Sequence, residues 1–239
     1  MNVAANAPSV AIRTATRLEL SFESWDWPFA RERRAEIDAH FIAKQAAKSQ
    51  LWNGRVMLAR DPRHDGDTYR ARYFETDFAS FLAWRDWGLP DKTVFNSFGM
   101  GALRGSDGVF ILGEMGLHTA NTGRIYFPAG TPDLNDRRGD VVDIAGSVAR
   151  EVEEEVGLRP GDYRIVEGWH CVHSGQSVAL MQLLEADVPA EELRRRILRA
   201  LAAQSEPELS AIHLVRDRRD FTSAMPVFVT AYIDAMTAA

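Results

Sequence analysis

Three glutamates, Glu151, Glu154 and Glu155, occupy positions i, i+3 and i+4 of the stretch Arg150-Glu151-Val152-Glu153-Glu154-Glu155-Val156-Gly157-Leu158. On an α-helix that spacing sets all three on one side, with Cβ atoms about 5–6 Å apart. Carboxylates this close repel one another, so the arrangement is costly unless positive charge sits among them. A hard divalent cation is the natural occupant, and Mg²⁺ takes oxygen ligands at about 2.0–2.1 Å. A solvated acidic helix face explains most glutamate-rich runs. The acids alone leave both readings open.

The helix that must position them is expected from Ile144 to Val156. Ala145, Val148, Ala149, Val152 and Val156 keep helical spacing and form a face to bury, while the acids project from an adjacent face. Asp143 is placed to cap the N-terminus, a structural role favoured over a catalytic one. Gly157 falls where the helix should stop and can take the left-handed conformation that closes a C-terminus.

The stretch from Arg150 to Leu158 resembles the C-terminal half of the Nudix box, the signature of the Nudix hydrolases. Every defined position of that half matches. Phe127-Pro128-Ala129-Gly130 resembles the Pro-Gly-Gly that leads into the box. The upstream half departs from the pattern: Val142 stands where the family has a Glu, and Asp136 where it has a Gly. Asp140 and Asp143 are the nearest acids, and the loop from Thr131 to Arg138 is a residue or two longer than usual.

Carried over residue by residue, the resemblance implies Glu151, Glu154 and Glu155 as ligands of Mg²⁺ or Mn²⁺. Arg150 would orient one of those carboxylates through a bidentate geometry that Lys cannot copy, and Gly130 would lie in a substrate-binding loop. Nudix enzymes often add a Glu, as ligand or general base, from a late loop before a strand. Glu208 is the preferred candidate and Glu206 the second, so Arg150, Glu154 and Glu208 form the expected catalytic set. The implied fold is α/β (α+β), an α/β/α sandwich with a mixed sheet over residues 93–239, preceded by an N-terminal α+β extension over 1–92. The implied activity is metal-dependent cleavage of the diphosphate linkage in a nucleoside diphosphate derivative, either a nucleotide sugar or an ADP-ribose-like compound. The alternative, motivated by Val142 and the longer loop, is a Nudix-fold nucleotide-binding or regulatory module without turnover. A looser likeness concerns Leu51-Trp52-Asn53-Gly54, Asp77-Phe78 and Asn96-Ser97-Phe98-Gly99, which together resemble the segment preceding the box in the UDP-sugar pyrophosphatase branch. Many Nudix proteins are dimers, so a homodimer is an expectation of the resemblance alone.

Composition narrows the partners. The chain has 239 residues and a formal net charge of −6, with no dominant basic stripe, which argues against a nucleic-acid backbone as the main partner. The single cysteine, Cys171, excludes an intramolecular disulfide and fits a reducing cytoplasm. His170-Cys171-Val172-His173 lacks the second Cys/His cluster of a structural zinc site. No stretch reaches the roughly 18–20 apolar residues of a membrane span, and the first residues lack a secretory pattern. Met1 to Ala15 reads as a frayed leader.

Elsewhere, strands are expected at Leu18–Phe22, Arg55–Ala59, Thr68–Phe74, Phe98–Leu103, Val109–Glu114, Arg124–Phe127, Tyr163–Trp169, Ser177–Val188 and Ala211–Val215. The polar loop Asp61-Pro62-Arg63-His64-Asp65-Gly66 should separate the strands that end at Ala59 and begin at Thr68. Helices are expected at Phe29–Lys48, Asp77–Gly88 (capped by Asp77), Ala190–Ala203 and Val227–Met236. Five of the six tryptophans, Trp25, Trp27, Trp52, Trp84 and Trp87, lie in the N-terminal section. Most are core residues by default, though an aromatic-lined cleft could stack a nucleobase.

Overall fold

The computed structural model describes residues 9–238. The chain opens with β1 (Val10–Ala15) and β2 (Arg17–Phe22), then α1 (Pro28–Glu32), α2 (Arg34–Ala47), the hairpin β3 (Arg55–Asp65) and β4 (Thr68–Asp77), and α3 (Phe78–Asp86). There follow β5 (Val94–Arg104), β6 (Phe110–Met115), β7 (Ile125–Tyr126), β8 (Arg137–Arg138), β9 (Val141–Val142) and α4 (Ile144–Val156). The C-terminal part holds β10 (Arg164–Ile165), β11 (Trp169–Ser174), β12 (Ser177–Glu185), α5 (Ala190–Ala202), β13 (Leu209–Val215) and α6 (Val227–Thr237). Among the described residues no helix is long and apolar enough to cross a membrane.

The strands form one open mixed sheet with helices on both faces, the α+β layering expected. Its main path runs β1-β11-β12-β5-β3-β4-β2-β9-β8, while β6, flanked by β13 and β7, branches from the end of β5. The long strand β5 is the hinge of the whole arrangement. Its first residues, Val94 and Phe95, pair with Arg60 and Ala59 of β3, and from Asn96 onward it runs parallel to β12. Alternation divides its side chains: Leu103 faces the core beneath α4 and α5, whereas Met100 and Ala102 face the core beneath α6. That period of two is what a strand covered on both sides requires.

The structure corrects four expectations. Residues 10–15 are not a leader but a strand, paired antiparallel with β11 from Val10↔Ser174 to Ala15↔Trp169; residues 1–8 lie outside the described part. The single helix expected over 29–48 is broken at Arg33, whose guanidinium lies 4.3 Å over the Trp87 ring. The loop expected between Ala59 and Thr68 is mostly hairpin, because Pro62 falls at an irregularity between Arg60 and Arg63, where a missing N–H costs no ladder bond. Finally, Tyr163–Trp169 yields only the two residues of β10, and the strand begins at Trp169 instead. Gly168, at φ 87°, turns the chain there. On β11, alternate side chains enter opposite cores: Cys171 packs below α4, and the His170 ring lies 5.4 Å from that of Tyr232 of α6.

Candidate functional site

Helix α4 starts and stops where its sequence indicates. The Asp143 carboxylate accepts the Gly146 N–H at 2.8 Å, and Gly157 closes the helix at φ 70°. Val148, Val152 and Val156 are buried against the sheet. The contact is close because β5 offers glycines there. A Cβ at Gly99 would meet Val148 Cγ2 at 2.6 Å, and one at Gly101 would meet Val152 Cγ2 at the same distance.

The acids at the edge of that face do not share one environment. Glu155 is only 5% exposed, and its carboxyl is raised well above the usual range by burial and by repulsion from Glu151 and Glu208, with the Ala129 backbone partly countering. Glu151 is pushed up to about 7, chiefly by burial, against the pull of Arg150 and with repulsion from Glu154, Asp136 and Glu208. The Glu154 side chain is 60% exposed. Glu208 thus lies near enough to act on both buried acids, and its backbone oxygen accepts the Gly116 N–H at 2.7 Å where β13 joins β6. Glu206 is exposed on the same loop. Tyr126, whose hydroxyl accepts from Asn121 Nδ2 at 3.1 Å, is held in its neutral form by burial and by Glu155, Glu208 and Glu151.

Arg150 gathers carboxylates rather than gripping one. It lies 2.8 Å from Glu151 and 3.4 Å from Glu154, and donates from Nη2 to both oxygens of Asp136 at 3.0 and 3.3 Å. Asp136 is 3% exposed. It is fixed by a reciprocal cap in which Asn135 N donates to Asp133 and Asp133 N donates to Asp136. The bidentate fork expected of Arg150 is not formed: Nη2 alone spans both oxygens of Asp136, an acid from the upstream loop at the position where the box pattern has Gly, while Nη1 serves Glu151 and Glu154. The pattern's Glu position, Val142, is apolar, buried and paired with Arg137 across a short hairpin.

The loop before α4 carries Gly130 against Glu151. A Cβ at Gly130 would meet the Glu151 carboxyl carbon at 2.5 Å. The carboxylate occupies the space a side chain would fill, so any side chain at 130 requires Glu151 to swing away. We expect Gly130→Ala to displace Glu151 and lower the rate of the reaction proposed below at least tenfold, with circular dichroism unchanged. An unaltered rate would show that this close approach is incidental. The loop is itself pinned to the sheet, since the Gly101 N–H donates to the Pro128 oxygen at 3.0 Å.

Gly130 also lines a cavity of about 650 Å³, walled by Phe78 and Phe81 of α3, by Phe98 of β5 and by Phe228 of α6. Arg85, Arg124, Asn96 and Asn121 give it polar edges. The aromatic wall is built from phenylalanine, not from the tryptophans that composition drew attention to. Trp27 and Trp84 are core residues that donate to Asp91 at 2.8 and 3.0 Å. A single side chain from that set, Trp52, stands in the open.

Among the described residues, no group of three or more His, Cys, Asp or Glu is assembled to hold a metal ion. The donor chemistry nonetheless fits a hard cation. Glu151 and Glu155 offer oxygen donors, both are raised chiefly by burial, and the charges of Glu154 and Glu208 raise both further. Oxygen-only donors favour Mg²⁺ or Mn²⁺ over softer ions.

No protein-family model and no curated protein matches the chain. Among solved structures, it is similar to the MutT protein from Methanosarcina mazei Go1, at 16% identity and TM-score 0.38, over 60% of this chain and 94% of that one. It is also similar to a Nudix hydrolase from M. smegmatis, RenU, at 13% identity and TM-score 0.36, over 57% and 79% of the two chains. Likenesses at this level decide nothing about the chemistry, which rests on the residues themselves.

Asp136, Tyr126, Arg85 and Arg124 border the candidate site, and motif matching passes over them. For Asp136 a signal existed: Asp133 and Asp136 stand three apart, the spacing of a reciprocal cap, so the loop had an ordered reading. For the two arginines no local pattern distinguishes a cavity wall from a surface.

Proposed function

We propose that this chain is a divalent-metal-dependent hydrolase that cleaves the diphosphate linkage of a nucleoside diphosphate derivative. The observation that carries the reading is the pair of buried carboxylates, Glu151 and Glu155. Both are raised by desolvation and by neighbouring acids that include Glu154 and Glu208, at the edge of a cavity that also presents arginine. Burying two such acids without a cation is unfavourable, and a diphosphate brings the complementary need for neutralised charge.

Glu151, Glu154 and Glu155 would hold Mg²⁺ or Mn²⁺, with Glu208 as a further ligand or as the base. A bound ion of this kind neutralises phosphate oxygens and lowers the pKa of a coordinated water. Arg150 keeps Glu151 oriented through its shared contact with Asp136. Arg85 and Arg124, at the cavity edge, would meet phosphate charge, and the phenylalanine wall would offer faces to a planar base. In the reaction, water adds to one phosphorus, the P–O bond to the bridging oxygen breaks, and two phosphate monoesters leave. Glu208 is the candidate to accept the water's proton. Residues 93–239 would carry the chemistry, and residues 1–92 would add a wall through Phe78, Phe81 and Arg85.

The test is a screen of nucleoside diphosphate sugars, ADP-ribose and dinucleoside diphosphates with Mg²⁺ and with Mn²⁺, read by mass spectrometry. Metal-dependent release of a nucleoside monophosphate is expected. Ligand-induced stabilisation with no product under either metal would overturn hydrolysis. It would favour a binding module, the reading to which Arg150 seated on Glu151 at 2.8 Å lends weight.

A further inference from the structure

Trp52 is 80% exposed, an unusual position for the largest apolar side chain. Its ring does not hang free. A Cβ at Gly54 would meet Trp52 Cζ3 at 2.5 Å, so one face of the indole lies on the bare backbone of a glycine. The support is rigid. The Phe78 N–H donates to the Gly54 oxygen at 2.9 Å, the Ala79 N–H to Asn53 Oδ1 at 2.8 Å, and Gln45 Nε2 to the Leu51 oxygen at 2.9 Å. Lys48 ties the same corner to the facing loop, reaching Thr122 Oγ1 at 2.6 Å.

The ring borders a second cavity of about 310 Å³, with Gln50, His118, Thr119 and Glu208 around it. Phe78 and Ala120 line both this cavity and the larger one, so the two are neighbours across those residues. Glu208 lines the small cavity, and Glu151 abuts Gly130 in the wall of the large one. The two halves differ in charge. The large cavity has two arginines, whereas the small one has neither Lys nor Arg and contains an acid. The Lys48 ammonium behind this wall is engaged by the Thr119 oxygen and by Thr122 Oγ1, so a terminal phosphate placed there would face Glu208 with no lining guanidinium or ammonium to meet it.

We infer that Trp52 is the platform of a second subsite, which takes the uncharged sugar ring on the far phosphate of a diphosphate sugar. A sugar stacks its C–H face on an indole and turns its hydroxyls toward groups such as Gln50, His118 and Thr119, the mix of apolar face and few polar groups usual in small-ligand sites. The larger, phenylalanine-walled cavity then holds the nucleoside. This assignment rests on the reading of the acids as a diphosphate site, and it names which group lies on which side.

The test is saturation-transfer NMR on the full-length chain with Mg²⁺, using UDP-glucose and ADP-ribose as probes. The wild type should transfer saturation to the terminal sugar protons of at least one probe. Trp52→Phe should retain that transfer, and Trp52→Ala should lose it with at least a tenfold rise in Kd. Because the side chain is exposed, both variants should fold, as circular dichroism would verify. Equal sugar saturation in Trp52→Ala would overturn the inference, as would saturation confined to base protons or tighter binding of a dinucleoside diphosphate. Failure of the hydrolase reading looks different: sugar saturation that depends on Trp52, with no cleavage of either probe, leaves the subsite standing and removes the activity.

Discussion

Glu155→Gln should lower kcat/KM for a cleaved diphosphate about a hundredfold, equivalent to roughly 3 kcal/mol of barrier, while stabilising the metal-free protein at pH 8. Gln matches Glu in size, so the change removes charge without opening a cavity. The rate falls because a buried carboxylate facing Glu151 and Glu208 is lost as an oxygen ligand. Stability rises because the wild-type protein must either desolvate that carboxylate or keep it protonated, and the unfolded chain need do neither. Steady-state kinetics with Mg²⁺ and thermal melts with a chelator provide the two readouts. An ordinary surface acid would move neither. A structural acid would lose stability on substitution, which is the result that would sink the metal-site reading. Glu154→Gln, at an exposed position, should lower the rate at least tenfold without the stability gain.

Metal-free protein should lose the stability that Glu151 contributes as pH rises from about 4.5 through 7, and a divalent cation should remove that loss. The carboxyl of Glu151 sits at about 7 in the folded chain, above the ordinary glutamate value of 4.5. Between those values the folded state binds more protons than the unfolded one, so raising the pH favours unfolding. Its contribution is fully present below about pH 4.5 and is lost as pH passes through 7, a change on the order of 3 kcal/mol. Glu155 is displaced in the same direction and adds to the slope. His64, His170 and His173, all lowered mainly by burial, pull the other way as pH falls through the ordinary histidine range. The difference between wild type and Glu151→Gln therefore isolates the carboxylate. Urea titrations at half-unit steps with chelator, repeated with Mg²⁺, would measure it. Identical profiles for the two proteins would remove Glu151 from the site.

How much of this was legible in the chain depended on whether the information was local. Helix α4 was, from Asp143 to Gly157, because a capping carboxylate, a valine stripe and a terminal glycine each act within a turn or two. So were α3 with its Asp77 cap, and the β5–β6 hairpin with Gly108 at φ 80°. What failed was information held elsewhere in the molecule. Val10–Ala15 looks like unpatterned small residues until β11 supplies its partner. Arg33 interrupts a helical pattern for a stacking partner, Trp87, more than fifty positions away. The acid array was legible as spacing, but the different burial of Glu151, Glu154 and Glu155 was not, since it depends on what Gly130, Tyr126 and Glu208 place around them. Asp136 appeared as a departure from a pattern, and in the fold it is the buried partner of Arg150. Trp52 looked like its four neighbours in the aromatic count. Only the fold separates the one ring left bare from those that build the core.

The seating of α4 on Gly99 and Gly101 limits how this molecule could be altered. Val148 and Val152 reach almost to the strand backbone, so sliding or tilting the helix would carry a methyl group into a main chain with no room to retreat. The acids therefore stand on a fixed floor, and any change of preferred ligand has to come from exchangeable walls such as Phe78, Phe98, Phe228 and Trp52. Libraries aimed at those walls should redirect selectivity, whereas libraries aimed at the floor should mostly return insoluble chains.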